Sequence, residues 1–299
     1  MSDVTRALIE TLGDENALVR RAAIDALGDI SDVAVKEALP ALIVALKDED
    51  PSVREAAAQT VGLIGPDAQE ALPVLIVALK DEDPSVREAA AQTVGLIGPY
   101  AQEAISSLIE RLKDESEDVR GEAAAALYRI GPATVKAKNA LPALIAALKD
   151  KSEDVRRFAT RALGNTRSSD AVKQVLPALI EALNDEEGSV RSNAAWAIGD
   201  LGPDAKEALP MLLEAMKDRQ DKVRISATRS LGEICRNTED AVQALMKTLK
   251  DKSPYVRKQA AQSLGIIKAQ ERQPVQHTSP RLRFDYTNDP LEEESDNEI

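Results

Sequence analysis

Hydrophobic residues along this chain recur at helical spacing, in segments that alternate with short polar turns. Residues 72–79, LPVLIVAL, place apolar side chains three and four positions apart, which is typical of an amphipathic helix. After the turn, Asp83 precedes Pro84, a pair that favours the capped start of a second helix. This second helix is predicted to end at Gly98-Pro99, because glycine accepts the left-handed conformation and proline cannot continue a helix. The pattern therefore predicts pairs of helices.

The helix pair is repeated along the chain. Residues 38–66 and 71–99 are 33 residues apart and differ only in Ala41 against Val74. The dipeptide Val-Arg recurs eight times at spacings of 33 to 36 residues, and an aspartate lies six residues before each arginine. These arginines are Arg20, Arg54, Arg87, Arg120, Arg156, Arg191, Arg224 and Arg257. The aspartates are Asp14, Asp48, Asp81, Asp114, Asp150, Asp185, Asp218 and Asp251. We therefore predict eight repeats.

Five of the first helices contain a proline. Because proline has no N–H to donate, the helix is predicted either to kink at this residue or to begin again there. The first and last repeats, roughly 2–30 and 239–268, lack it, as terminal repeats often depart from the common pattern. The five residues are Pro40, Pro73, Pro142, Pro177 and Pro210.

The composition favours a helical core and argues against several kinds of partner. Aromatic residues are only 2% of the chain, so Ala, Leu, Val and Ile must form the core. A formal net charge of −13 argues against nucleic acid and acidic membranes as partners, since phosphate binding requires a large basic surface. The first ten residues lack the layout of a signal peptide, and the apolar runs are far shorter than the ~20 residues that cross a membrane. We expect a cytoplasmic protein without membrane association.

The end of the chain differs in character from the repeats. Helical periodicity ends at Ala269, and residues 270–299 contain three prolines and a terminal run of acids. We predict a helical array over residues 1–269, followed by a disordered acidic tail over 270–299. The acidic side chains are Glu292, Glu293, Glu294, Asp296 and Glu298.

The repeat resembles the HEAT repeat: a proline in the first helix, an aspartate in the turn and Val-Arg at the start of the second helix. Its short, alanine-rich form, V-R-x-x-A-x-x-x-L-G, is similar to bacterial HEAT proteins of the phycobilisome-lyase type. The resemblance covers about residues 1–268. It implies an all-α, right-handed α-solenoid of the armadillo/HEAT class with a concave and a convex side, on the order of 80 Å long.

The resemblance also implies that the turn aspartates and the Val-Arg arginines form a structural ladder between neighbouring repeats. Eight separate binding arginines are the alternative function. The ladder residues are Asp48, Arg54, Asp81, Arg87, Asp114, Arg120, Asp150, Arg156, Asp185, Arg191, Asp218 and Arg224.

Surface positions of the second helices follow from the helical angle. Counted from the Val-Arg arginine, positions −1, +3, +6, +7 and +10 share the core side, whereas +1, +5, +8 and +12 lie on the opposite side. The resemblance implies that this opposite side lines the concave surface. Position +5 carries the only tryptophan, Trp196, with Arg161 and Arg229 at the same position of the adjacent repeats.

Tryptophan and arginine are the side chains most enriched in interface hot spots. We therefore predict that repeats four to seven bind a protein or peptide partner around Trp196, and that the protein is a monomer. The predicted contact residues are Trp196, Arg161, Arg229, Arg157, Tyr128 and Arg129, with Arg236 nearby. Alternatively, Trp196 fills a gap against the next repeat. The acidic tail could fold back onto this arginine-rich patch, or it could remain solvated.

No catalytic constellation, metal site or cofactor is predicted. The only histidine, His277, lies in the tail, so a di-iron site and a histidine base for Cys235 are both excluded. A HEAT-like DNA glycosylase would require a basic groove, which this acidic chain matches poorly. We expect a non-enzymatic scaffold or adaptor. The alternatives are a phycobiliprotein lyase or chaperone-like subunit, whose arginines would pair with bilin propionates, and a regulatory subunit of a larger complex.

Overall fold

A computed structural model describes residues 1–235 and 239–271, which form a stack of eight helix pairs, one for each predicted repeat. The first helices are α1 (Asp3–Thr11), α3 (Asp32–Ala45), α5 (Leu72–Ala78), α7 (Ile105–Arg111), α10 (Ala140–Ala147), α12 (Ser169–Ala182), α14 (Leu209–Ala215) and α16 (Glu239–Thr248). The second helices are α2 (Ala17–Ile30), α4 (Pro51–Gly62), α6 (Pro84–Ile97), α8 (Glu117–Ile130), α11 (Glu153–Gly164), α13 (Gly188–Leu201), α15 (Asp221–Ile234) and α17 (Pro254–Glu271). The predicted all-α solenoid is confirmed.

Short helical turns connect several of the pairs. Helix α9 (Pro132–Lys136) precedes α10, and 3-10 turns occupy Gly65–Ala71, Gly98–Tyr100, Gln102–Ala104 and Gly202–Ala208. Helix α17 runs two residues beyond the predicted end of the array at residue 269. The rest of the predicted tail, with His277 and the acidic end, lies outside the described residues, as does Arg236.

Both predicted responses to the first-helix proline occur. Pro73 and Pro210 are the second residues of α5 and α14, so these helices begin again after a 3-10 turn. Pro40 and Pro177 instead lie inside the longer helices α3 and α12. The preceding residues explain the difference, because Ser31 caps α3 through Ala34 N–H and starts the helix well before its proline.

The predicted ends at Gly98, Gly131 and Gly202 are confirmed, whereas α4 ends at Gly62, before the predicted Gly65. The Asp83 side chain accepts a hydrogen bond from the backbone N–H of Ser85, and Pro84 opens α6. At the other end, Gly98 has a φ of +65°, the left-handed region that favours glycine. Gly65, Gly131 and Gly202 also have positive φ.

The helix pairs form two layers around an apolar core. Successive second helices pack closely against each other, whereas successive first helices make far fewer contacts. The layer with the closer spacing lies on the inside of a curved stack, so the second helices line the concave side. Small side chains permit this spacing, as between Thr93 of α6 and Ala58 of α4, where the Thr93 Oγ1 donates to the Ala58 carbonyl at 2.7 Å. None of the described helices is both long and apolar enough to cross a membrane.

Candidate functional site

The Val-Arg arginines join neighbouring repeats through bidentate ion pairs. Arg54 donates from Nε and Nη2 to the two carboxylate oxygens of Asp81 at 2.8 and 2.7 Å, and its Nη1 donates to the carbonyl oxygens of Asp48 and Glu49. Each arginine therefore holds the turn of its own repeat and the aspartate of the next. The same geometry joins Arg20 to Asp48, Arg87 to Asp114, Arg120 to Asp150, Arg156 to Asp185, Arg191 to Asp218 and Arg224 to Asp251.

These pairs keep the aspartates ionised in the folded chain. Burial alone would raise the pKa of the Asp81 carboxyl, but hydrogen bonds from Arg54 and the backbone N–H of Asp83 outweigh it and lower the pKa. The hydrogen bond from Arg224 is the largest influence on Asp251 and lowers its pKa. The guanidinium of each ladder arginine is hydrogen-bonded within the fold, so its role is structural.

Position +8, predicted to lie with +1, +5 and +12 on the side opposite the core, instead faces the neighbouring second helix. This position is a glycine in seven repeats, and in all of these but the last repeat it packs against the next second helix. A Cβ atom on Gly164 would lie 3.1 Å from the Cα of Ala197, and Gly62 is buried. Repeat four carries Tyr128 at this position instead, and its ring is half-buried. A single helical wheel cannot show how close the neighbouring helix comes.

Trp196 is half-buried and lies in a cluster with two charged side chains. The Arg229 guanidinium covers the indole ring, with its Cζ 3.8 Å from the ring centroid. Asp200 accepts hydrogen bonds from Trp196 Nε1 at 3.0 Å and from Arg229 Nη2 at 3.1 Å. Only 12% of the Arg229 side chain is exposed, so its main role is to hold the indole between repeats six and seven.

Tyr128 and Arg161 form a similar pair between repeats four and five. The Arg161 Cζ lies 4.4 Å from the tyrosine ring centroid, and its Nη2 is 3.1 Å from the hydroxyl oxygen. Both arginines reach back to an aromatic ring of the preceding repeat. The structure therefore brings four of the predicted residues together as two inter-repeat pairs, in which Arg161 contacts Tyr128 and Arg229 contacts Trp196.

The other two predicted residues are also engaged within the chain. Arg157 donates to the Asp154 carboxylate at 2.6 Å and lies over the Phe158 ring at 4.3 Å. Arg129 is exposed, and its Nη1 is 3.9 Å from Glu122, too far for a hydrogen bond. Of the predicted arginines that the structure describes, Arg129 is thus the exposed one, whereas Arg157 and Arg161 are half-buried.

A cavity of about 450 Å³ opens beside Arg157 and Arg161 on the concave surface of repeats five to seven. Its walls are polar, and neither Trp196 nor Tyr128 lines it. The lining side chains include three cations, Arg157, Arg161 and Lys222, and three anions, Glu153, Asp154 and Glu187. The charges of this lining therefore balance, and the predicted contact with the acidic tail involves residues outside the described ones.

Departures from the repeat pattern surround this cavity. Helices α13 and α15 begin after Glu187 and Gln220, whose side chains make no capping hydrogen bond, whereas Asp50 and Asp83 cap the corresponding helices. The Gln220 amide occupies the space that a side chain at Gly188 would fill. Comparison of repeats at these positions could have indicated the cavity from the sequence. The pairing of Asp200 with Trp196 could also have been found, since the two are four residues apart on one helix.

No group of three His, Cys, Asp or Glu side chains is arranged to hold a metal ion within residues 1–235 and 239–271. Cys235 is buried at the end of α15.

Comparison with known proteins identifies the repeat. A family profile described as HEAT repeats matches residues 5–76, 39–128, 106–176, 141–232 and 209–277. A solved structure titled as an engineered protein of the Northeast Structural Genomics Consortium is similar, with a TM-score of 0.67 and 23% sequence identity over 89% of this chain and 79% of that one. At this identity, the likeness supports the fold alone. No curated protein matched the sequence.

Proposed function

Because the chain belongs to the HEAT-repeat family, we propose that it is a non-enzymatic scaffold or adaptor that holds a protein segment on its concave face. The proposed contact surface is the cavity of repeats five to seven, with Arg157, Arg161 and Lys222 as its cations. Trp196 and Tyr128 support this surface by fixing the spacing of the helices behind it.

One observation carries this proposal: the cavity lies where the repeat pattern is broken. Repeats two and three are nearly identical, so their surfaces repeat as well. Around the cavity, by contrast, Glu187, Gly188 and Gln220 replace capping and proline residues that favour helix formation. The loss of capping residues lowers the local stability of these helices. Such a loss is expected where the surface serves binding.

The polar lining favours a protein segment over a bilin. A tetrapyrrole would need extended apolar walls, and the residues that line this cavity are charged or small and polar. A phycobiliprotein lyase or chaperone-like subunit of the phycobilisome-lyase subgroup therefore remains the second candidate, as its arginines could pair with propionates. A regulatory subunit of a larger complex differs from the scaffold only in its partner.

The test is affinity capture from an extract of the source cells, with the full chain immobilised. Wild type is compared with the cavity variant Arg157→Ala/Lys222→Ala and with Lys80→Ala/Lys149→Ala. The two control lysines are 57% and 70% exposed and follow first helices. We expect a partner that wild type and the lysine control retain, and that the cavity variant binds about tenfold less tightly. Equal capture by all three proteins would contradict the proposal.

Trp196→Ala separates the two interpretations of the tryptophan in the same assay. If Trp196 packs between repeats, the melting temperature falls together with partner binding, because Arg229 and Asp200 lose their shared partner. Loss of binding at an unchanged melting temperature indicates direct contact with the partner. A bilin titration followed by absorbance tests the lyase alternative, which predicts a spectral shift with wild type.

A further inference from the structure

A second concave surface, in repeats two to four, combines exposed leucines with crowded carboxylates. Leu63 and Leu96 occupy position +9 of repeats two and three, and 57% and 43% of their surfaces are exposed. Each leucine lies across the glycine of the preceding second helix, since the Leu96 Cδ1 is 3.2 Å from where a Gly62 Cβ would stand. The two leucines therefore form an apolar row on the inner face.

A parallel row of acids crosses the same helices. Glu55 and Glu88 occupy position +1 of repeats two and three, and Asp118 and Glu122 continue the row into repeat four. Burial raises the pKa of Glu88, and the charges of Asp118, Glu122 and Glu55 raise it further. The Oε2 atom of Glu122 is buried without a hydrogen-bond partner among the described residues. The nearest arginines to this row are Arg21, 4.0 Å from Glu55, and Arg129, 3.9 Å from Glu122, so these carboxylates lack the close bidentate pairs of the ladder aspartates.

The two rows are separated by a row of amides. Positions +1 and +9 are eight residues apart, a distance of about 12 Å along a helix. The exposed side chains of Gln59 and Gln92 stand between the rows at position +5. A partner that follows the stack therefore meets carboxylates on one side, amides beneath it and leucines on the other side.

The spacing of the second helices along the stack matches the repeat of one extended backbone conformation. Packed helices lie about 8–10 Å apart, and a polyproline II segment advances about 9.3 Å in the three residues of one turn. Every third residue of such a segment faces the same way and meets the next second helix. Cations at one of the three positions match the acid row, and apolar residues at another match the leucines.

We propose that the concave surface of repeats two to four binds an extended, basic segment of another protein, with lysine or arginine at every third position and an apolar residue beside each. This inference rests on the proposed scaffold role but assigns the partner to other repeats. Complementary charge supplies the argument for this occupant, because a concave, acidic surface concentrates negative potential.

The test is fluorescence anisotropy of a labelled peptide of four Lys-Leu-Pro triplets, titrated with the full chain at low salt. We expect Leu63→Ser/Leu96→Ser to weaken binding about tenfold. Glu88→Gln/Glu122→Gln should also weaken binding and flatten its salt dependence, because two charges that attract the lysines are removed. Glu-Leu-Pro triplets, and a scrambled peptide of the same composition, are expected to bind more weakly than the original.

The duplicated repeats offer matched controls on the outer layer and the connecting turns. Val44→Ser/Val77→Ser alters two valines of the first helices that are 71% and 69% exposed. Glu70→Gln/Glu103→Gln removes two exposed charges from the 3-10 turns. Both controls are expected to bind within about twofold of wild type, and thermal melts establish that all variants are folded.

Several results would overturn the proposal. These are no binding by wild type up to about 1 mM, equal binding of the scrambled peptide, or an equal loss in the control variants. The proposal is also overturned if peptide affinity falls in the Arg157→Ala/Lys222→Ala variant and is unchanged in Leu63→Ser/Leu96→Ser. The scaffold function is unaffected by that result. Conversely, partner capture that is unchanged in the Arg157→Ala/Lys222→Ala variant, while this peptide binds as described, contradicts the cavity as the contact surface. That result supports the surface of repeats two to four.

Discussion

In the first seven repeats, one guanidinium at the start of the second helix joins that helix to its own turn and to the aspartate of the next repeat. Arg54 binds both oxygens of Asp81 and the carbonyls of Asp48 and Glu49, with only 10% of its side chain exposed. The sequence indicated this role through the constant spacing of aspartate and arginine. The planar fork of arginine is required, since a lysine ammonium has one nitrogen and cannot make two parallel bonds to a carboxylate.

We therefore predict that Arg54→Lys lowers the free energy of unfolding by about 1–3 kcal/mol, although the charge is kept. Arg257→Lys is the matched control, because Arg257 has the same register but bonds only to Asp251 and Lys252 of its own turn among the described residues. The control should change stability by less than about 0.5 kcal/mol. Urea titrations of both variants give the answer, and equal losses would show that the inter-repeat bonds contribute little.

At the same scale, the sequence predicted which arginines and aromatics come together but could not predict their pairing. Arg161 and Arg229 share a stripe with Trp196, and a helical wheel treats the two arginines alike. In the fold, both reach towards the preceding repeat, so Arg229 covers Trp196 and Arg161 covers Tyr128. Side-chain direction depends on the neighbouring helix, which periodicity within one helix does not describe.

For whole helices, the close approach of the second helices depends on glycine at position +8. A Cβ on Gly199 would lie 2.8 Å from the Ser230 Cβ and 2.9 Å from its Cα. The Ser230 Oγ also donates to the Ala195 carbonyl at 2.7 Å, so neither helix can shift without loss. The sequence shows these glycines, but their role becomes visible only when a second helix is placed beside the first.

Gly199→Ala is expected to destabilise the protein by about 1–3 kcal/mol through overpacking. Gly265→Ala has the same register in the last repeat, where nothing lies within 4 Å of the added methyl group. This control should be neutral or more stable by up to about 1 kcal/mol, since alanine favours the helix. Denaturant unfolding distinguishes the two. A stabilised Gly199→Ala variant would mean that the helices can separate easily.

The first helices show why helix boundaries were only partly predictable. The proline in each first helix indicated a kink or a new start, and the outcome depends on the residues before it. Ser31 and Ser168 cap long helices that contain their prolines, whereas glycine with positive φ at Gly65 and Gly202 leads into 3-10 turns. Where a helix begins depends on competition between a capping residue and a helix breaker several residues away. This competition is harder to predict from the sequence than the repeat is.

Over the whole molecule, carboxylates of two kinds set opposite pH dependences. The ladder aspartates Asp81 and Asp251 have lowered pKa values, whereas burial raises the pKa values of Glu88, Glu122 and Glu153. The lowered groups stabilise the fold above their unfolded pKa of about 4, and this stability is lost as the pH falls through their folded pKa. The raised groups act in the opposite sense, because the folded chain takes up their protons at a higher pH than the unfolded chain does.

We therefore predict a melting temperature that rises slightly as the pH falls from 7 to about 5, and then drops steeply below about 4. In Glu88→Gln/Glu122→Gln, the rise in melting temperature should shrink and the drop in acid should remain, since the ladder is unchanged.

Relief of the net charge of −13 would also raise stability in this range. The exposed pair Glu70→Gln/Glu103→Gln removes the same charge and keeps the crowded acids, so it should retain the full rise. Melts at intervals of half a pH unit measure all three proteins. If the rise in melting temperature is reduced equally in both variants, the overall charge causes it. The acidic row of repeats two to four would then make no separate contribution to the pH dependence.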